Sequence, residues 1–208
     1  MSPGAPQSRL TYAEYLALEA QSPVRHEFVN GEVFEMAGGT PAHGALAAAL
    51  ARDLGAALRG KPCRVFSSDV RVFVRETGLA TYPDLSVVCG SLETAEEDKD
   101  AIVNPVLLAE VLSPSTEAWD RGGKAAHYRR IPALREILLV TPEGRLEVQR
   151  RSDRGVWELV EARVGERLEL MSLGVVLDVA ELFRDPLASA PSELQRLAQG
   201  PGKLTPER

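Results

Sequence analysis

One stretch of the chain decides the fold, and it runs from Tyr82 to Tyr128. It contains Tyr82-Pro83-Asp84-Leu85-Ser86-Val87-Val88, then Leu107-Leu108-Ala109-Glu110-Val111-Leu112-Ser113-Pro114-Ser115-Thr116, then Asp120-Arg121-Gly122-Gly123-Lys124-Ala125-Ala126-His127-Tyr128. The first two runs are apolar, have the length of buried strands, and carry one carboxylate each, Asp84 and Glu110. A carboxylate in an apolar strand is costly unless it is paired or bound to a cation. These acids, with Lys124 on the following helix, predict a metal site with a lysine beside it.

Strand geometry explains how the two acids can meet. Side chains two residues apart share one face of a strand, so Glu110 shares a face with Leu108 and Leu112. If the two strands are neighbours in a sheet, Asp84 and Glu110 lie a few ångströms apart, where two carboxylates repel unless a proton or a cation intervenes. Mg²⁺ needs only one or two carboxylates besides water and phosphate oxygens. We therefore expect Mg²⁺, or Mn²⁺ in its place.

The helix that follows presents a polar stripe. Spacings of four, three and four place these residues on one side of it: Asp120, Lys124, His127 and Ile131. Lys124 can point back over the strand end, where an ammonium would orient a water or stabilise charge on a phosphorane. The alternative is an exposed pair with Asp120, which stabilises a helix by only about 0.3–0.5 kcal/mol. For Asp120 this pairing is the favoured interpretation, whereas Tyr128 and His127 are read as packing residues with a polar tip.

Composition places the chain among soluble globular proteins with one sizeable domain. It has 208 residues, 44% of them hydrophobic and 26% charged. The net charge of −6 argues against extensive non-specific nucleic-acid binding, which depends on Lys and Arg, but it leaves room for a local basic patch. No glycine-rich dinucleotide-binding or phosphate-binding loop occurs at a strand–helix junction.

Location and redox state are inferred from what the sequence does not contain. No apolar run approaches the ~20 residues of a membrane span, and the first residues lack the apolar run of a secretory signal. We therefore expect a cytoplasmic protein with no membrane partner. Cys63 and Cys89 show no metal-ligand spacing and are expected to be two separate, buried apolar residues.

Local signals order the remaining elements. Thr11 and Glu14 form a capping box for a helix from Tyr12 to Ala20, and Asn30-Gly31 predicts an N-terminal β-hairpin. Leucines at every fourth position predict a helix from Pro41 to Arg59. The remaining predictions are a polar, solvated loop at 90–104, a helix at 117–130, and a C-terminal β-meander. We expect disorder over residues 1–9, one α/β domain over 10–184 with a central mixed sheet flanked by helices, and a tail over 185–208.

Pro83-Asp84, Glu110 to Thr116, and the downstream Asp120 and Lys124 together resemble a large, mostly bacterial family of restriction-endonuclease-like proteins. The family belongs to the PD-(D/E)XK nuclease superfamily. The resemblance covers about Tyr12 to Phe183. It implies a restriction-endonuclease-like fold, Mg²⁺-dependent cleavage of DNA phosphodiester bonds, and a homodimer.

The resemblance also implies roles for single residues. Asp84 corresponds to the metal-binding acid of the first element, and Glu110 to the acid of the second. The superfamily pattern places a lysine two residues after that acid, where this chain has Leu112. Lys124 is its natural replacement.

Three functions stay open at this point. The first is a metal-dependent endonuclease with Asp84, Glu110 and Lys124 as catalytic residues, of which Asp84 and Glu110 hold the metal. Its candidate accessory residues are Glu32, His43, Asp120 and Tyr128. The second is a nuclease fold without cleavage that serves as a nucleic-acid or protein interaction module. The third is a metal-dependent hydrolase of another phosphodiester.

Overall fold

The computed structural model describes residues 9–36, 38–185 and 187. Its helices are α1 (Tyr12–Glu19), α2 (Pro41–Ala57), α3 (Glu117–Trp119), a π-helical turn (Asp120–Lys124), α4 (Ala125–Tyr128) and α5 (Val179–Leu182). Its strands are β1 (His26–Val29), β2 (Glu32–Glu35), β3 (Cys63–Ser67), β4 (Arg71–Val74), β5 (Leu79–Thr81), β6 (Leu85–Cys89), β7 (Ala101–Ile102), β8 (Leu107–Val111), β9 (Glu136–Thr141), β10 (Arg145–Arg151), β11 (Trp157–Arg163), β12 (Arg167–Leu170) and β13 (Val175–Asp178). The predicted disordered terminus and tail fall almost entirely outside the described residues.

A mixed sheet of six strands forms the centre of the fold, as the sequence predicts. Its order is β11-β10-β9-β8-β6-β3, and only the β8–β9 pair is parallel. Strands β6 and β8 are antiparallel neighbours, with Leu85 opposite Ala109. This register places the residue before β6 opposite Glu110, and so brings the two predicted acids to the same point of the sheet.

A second sheet was not predicted, because two of its strands are too short to show periodicity. It has five strands in the order β2-β1-β5-β4-β7, and it includes the predicted hairpin with Asn30 and Gly31 at positive φ. Strand β7 lies inside the stretch predicted to be a solvated loop. That prediction is wrong, because Asp98 is buried there and accepts hydrogen bonds from Arg71 at 2.7 Å and from Tyr12 at 2.8 Å.

Two apolar cores cover the two faces of the six-stranded sheet. On one face α2 packs through Leu50 and Leu54, which are fully buried as the leucine repeat predicts. On the other face α4 packs through Tyr128, together with Ile131 and residues of the five-stranded sheet. Glu110 on β8 and the π-helical turn that carries Lys124 therefore lie between the two sheets.

The helix after β8 is shorter and less regular than predicted. It ends at Tyr128 instead of Arg130, and its middle is a π-helical turn, a feature frequent at functional sites. Gly123 permits a close approach within it: a Cβ there would lie 2.1 Å from a ring carbon of Trp119, whereas a Cβ on Gly122 would have no atom within 4 Å. The glycine thus makes room for the indole of Trp119.

The prediction for the two cysteines is wrong. Cys63 and Cys89 face each other on β3 and β6, with Cα atoms 4.0 Å apart, and form a disulfide. Both residues are only partly buried. The pairing follows from strand register, which spacing along the chain does not reveal. Within the described ranges, no helix has the length and apolar character that crossing a membrane would require.

Candidate active site between the two sheets

The two predicted acids lie side by side at neighbouring strand ends. The backbone N–H of Asp84 points to Oε2 of Glu110 at 3.4 Å. Oδ2 of Asp84 accepts a hydrogen bond of 2.7 Å from the backbone N–H of Val111, which fixes the carboxylate against β8. Antiparallel pairing of β6 and β8 therefore positions both side chains, and the structure brings them together as the strand argument predicts.

Lys124 lies inside the protein at the centre of a carboxylate cluster. Its Nζ atom is 2.9 Å from Oε1 of Glu27, 3.0 Å from Oε1 of Glu110 and 3.6 Å from Oδ1 of Asp120. Glu27 and Glu110 lie at hydrogen-bond distance from the ammonium, whereas Asp120 is farther away and contributes only electrostatic attraction. The residue is only 4% exposed, which excludes an ordinary exposed pair with Asp120.

Glu27 is the site residue that the sequence did not reveal. It lies on β1 and accepts hydrogen bonds from the hydroxyl of Thr81 and from the indole Nε1 of Trp119, the latter at 3.2 Å. Glu32, the predicted accessory acid, is exposed on β2 and has no hydrogen bond or ion pair with this cluster in the described part of the chain. The only signal for Glu27 was a carboxylate in a short strand beside Phe28, which ordinarily indicates a strand with one solvated face.

Two further predicted residues contact the acids directly. His43, near the start of α2, places Nε2 at 3.1 Å from Oδ2 of Asp84. The hydroxyl of Tyr128 donates a hydrogen bond of 2.6 Å to Oε1 of Glu110. Tyr128 therefore does more than pack in the core, because its hydroxyl and the ammonium of Lys124 both contact Oε1 of Glu110 and hold that carboxylate in one orientation.

The cluster holds more negative than positive charge. Burial raises the pKa of Glu110 to about 8, Lys124 opposes that rise, and the nearby Asp84 and Asp120 add to it. Burial likewise raises the pKa of Asp120. For Glu27 burial acts in the same direction, but Lys124 and the hydrogen-bond donors outweigh it and lower the pKa. Burial would lower the pKa of Lys124, yet the surrounding acids raise it well above its usual value. Three carboxylates thus surround one ammonium, and Asp84 lies beside Glu110 as a fourth acid.

This charge balance fits a divalent cation held by Asp84 and Glu110. Oδ1 of Asp84 has no hydrogen-bond partner among the described residues, and burial raises the pKa of Glu110, so a cation beside the two acids would favour the carboxylate form of Glu110. Over residues 9–36, 38–185 and 187, no group of three or more His, Cys, Asp or Glu side chains is arranged to hold a metal. Two carboxylates completed by water and phosphate oxygens are what Mg²⁺ commonly uses.

Comparison with known proteins identifies the family of the chain. The family model described as "Uma2: Putative restriction endonuclease" matches residues 12–180. The "Uncharacterized protein slr1290" of Synechocystis sp. is 34% identical over 184 residues, 88% of this chain and 96% of that protein. A second Synechocystis protein, "Uncharacterized protein sll1609", is 37% identical over 131 residues, 63% of this chain and 74% of its own length.

A solved structure shares the fold. The crystal structure of a "putative nuclease belonging to DUF820" from Anabaena variabilis has a TM-score of 0.69 and 19% sequence identity, covering 84% of this chain and 97% of that one. The matched region of the family model, residues 12–180, includes the hairpin, the two acids and Lys124. The chain therefore belongs to the Uma2 family.

Proposed function

We propose that the protein is a Mg²⁺-dependent endonuclease that hydrolyses phosphodiester bonds of DNA. The observation that carries this proposal is the pair Asp84 and Glu110 at opposed strand ends, with the ammonium of Lys124 3.0 Å from Glu110. Membership of a family described as restriction endonucleases supports it. The likeness to the Anabaena structure supports only the fold on which the site is built.

Each residue of the site has a part in this reaction. Asp84 and Glu110 would hold the Mg²⁺ ion, which when bound polarises a phosphoryl oxygen and lowers the pKa of a water. Tyr128 and Lys124 hold the carboxylate of Glu110 in one orientation. Lys124 also supplies positive charge beside the position where the phosphate gains negative charge.

His43 and Glu27 hold these groups in position. His43 places Nε2 3.1 Å from Oδ2 of Asp84 and orients that carboxylate from α2. Glu27 binds the ammonium of Lys124 from the five-stranded sheet at 2.9 Å, so it fixes where that charge lies relative to Glu110.

A cleavage assay with matched variants tests the proposal. Supercoiled and linear DNA are incubated with Mg²⁺ or Mn²⁺ and with purified wild-type protein, Asp84→Asn or Glu32→Gln. We expect cleavage by the wild-type protein and by Glu32→Gln, because Glu32 is exposed and lies outside the cluster. Loss of cleavage in Asp84→Asn shows that the protein itself is the nuclease, whereas equal cleavage by all three preparations would refute the assignment.

One observation favours a second candidate, a nuclease fold that binds without cleaving. Two carboxylates already contact the ammonium of Lys124 at hydrogen-bond distance, and the position two residues after Glu110 holds Leu112. In that case DNA or a protein partner would bind equally to wild-type protein and to Asp84→Asn, with no cleavage under any metal. The homodimer and the cytoplasmic location stay predictions, which light scattering and cell fractionation can check.

A further inference from the structure

A groove of about 670 Å³ lies between α2 and the edge strand β3. It is separate from the acid cluster, which lies on the other face of the sheet. Its lining residues come from the second half of α2, the following loop, β3 and the start of β6: Ala51, Gly55, Leu58, Arg59, Gly60, Lys61, Cys63, Arg64, Val65, Ser67 and Leu85. The disulfide of Cys63 joins β3 to β6 along its wall.

The groove leads towards the candidate active site. Leu85, which lines one end, directly follows Asp84 in the chain and pairs with Ser67. Cys63 marks the other end, four residues earlier on β3. At about 3.3–3.4 Å per residue, the four steps from Cys63 to Ser67 span roughly 13 Å. A chain lying in the groove would therefore pass from the basic loop after α2 to the edge of the Asp84 site.

The charge of the groove is opposite to that of the whole chain. The protein has 30 acidic and 24 basic residues, yet the lining contains Arg59, Lys61 and Arg64 and no acid. Arg59 and Arg64 are exposed, and their side chains form no hydrogen bond or ion pair with other described residues. Lys61 donates only to backbone carbonyls, at 2.7 and 2.8 Å, so no carboxylate neutralises its charge.

We propose that this groove binds the sugar–phosphate backbone of one nucleic-acid strand and guides it to the Asp84 site. The proposal deepens the nuclease function and rests on it. A polyanion is the ligand that three unneutralised cations select. No aromatic side chain lines the groove, so the bases do not stack there and binding is independent of sequence. A local basic track also explains how a chain of net charge −6 can hold DNA.

The salt dependence of binding tests this proposal. Anisotropy of a fluorescein-labelled oligothymidylate is measured with EDTA present, so that binding is separated from cleavage. Three phosphate contacts on a single strand give a slope of about −2 when the logarithm of the binding constant is plotted against the logarithm of the salt concentration. Removing two of these contacts makes the slope shallower by about 1.4. We expect that reduction in Arg59→Ala/Arg64→Ala. The matched control is Arg52→Ala, which removes an exposed arginine of α2 outside the groove and leaves the slope unchanged.

The two proposals fail in different ways. Equal slopes for the wild-type protein and the double variant, with equal melting temperatures, would overturn the groove assignment whether or not the protein cleaves DNA. That result would reassign the groove to an uncharged ligand or to a peptide that pairs with the free edge of β3. A reduced slope in the double variant, together with no cleavage under any metal, would uphold the groove and refute the nuclease function alone.

Discussion

Gly123 gives the sharpest test of how the site is held together, because the neighbouring Gly122 is a matched control. A Cβ added at Gly123 would lie 2.1 Å from a ring carbon of Trp119, and an ordinary contact starts at 3.4 Å, so the ring must move by about 1.3 Å. Such a shift breaks the 3.2 Å hydrogen bond from Trp119 to Glu27, the acid that holds Lys124.

The magnitude follows from these contacts. Overpacking costs about 1–3 kcal/mol, and loss of a hydrogen bond to a charged group costs about 1.5–3 kcal/mol. The better helix propensity of alanine returns at most about 1 kcal/mol. We therefore expect Gly123→Ala to lower the free energy of unfolding by about 2–5 kcal/mol. Gly122→Ala meets no atom within 4 Å and should be neutral or slightly stabilising.

Urea unfolding followed by tryptophan fluorescence measures both variants. The chain has two tryptophans, so a Trp157→Phe background isolates the signal of Trp119. Gly123→Ala should also change the emission of the folded state, since the indole loses its carboxylate partner. Equal unfolding midpoints for Gly123→Ala and Gly122→Ala would refute the reasoning, because the indole would then not be fixed over the glycine.

Two other changes test the buried charge of Lys124 and the Cys63–Cys89 disulfide. Lys124→Met leaves Glu27 and Glu110 without their cation and should cost about 3–5 kcal/mol at pH 8 and above. Lys124 lowers the pKa of Glu27 against the effect of burial and opposes the rise in the pKa of Glu110. Without it both pKa values rise, so the folded variant takes up protons that the wild-type protein does not, and the loss should shrink as the pH falls. Urea midpoints measured from pH 8 down to pH 5 decide, and a loss independent of pH would contradict the account. Reduction of the Cys63–Cys89 disulfide, which closes a loop of 26 residues, should cost about 3–4 kcal/mol in urea unfolding. A Cys63→Ser/Cys89→Ser variant should show no effect of reductant, and an unchanged wild-type midpoint after verified reduction would count against this stabilisation.

The sequence allowed prediction of the parts of the site that depend on neighbouring strands. Asp84 and Glu110 each accompany an apolar run with the length of a buried strand, and the prediction that the two acids meet was conditional on those strands being neighbours, which the structure shows. Lys124 follows on the next helix. Local periodicity and the cost of burying a carboxylate were sufficient for these three residues, and the structure places them together.

The remaining parts depend on contacts between distant segments. Glu27 is 92 residues from Trp119 and becomes buried only because the five-stranded sheet packs against the helix of Lys124. Strand β7 has two residues, which is too short for any periodic signal. The disulfide required the register of β3 against β6, and no spacing rule for cysteines supplies that.

Titration of Mn²⁺ into the protein by calorimetry tests the central claim most directly, which is that Asp84 and Glu110 form a divalent-metal site. The account predicts binding to the wild-type protein and to Glu32→Gln, and loss of binding in both Asp84→Asn and Glu110→Gln. Binding of equal strength in all four proteins, or in none of them, would contradict the claim.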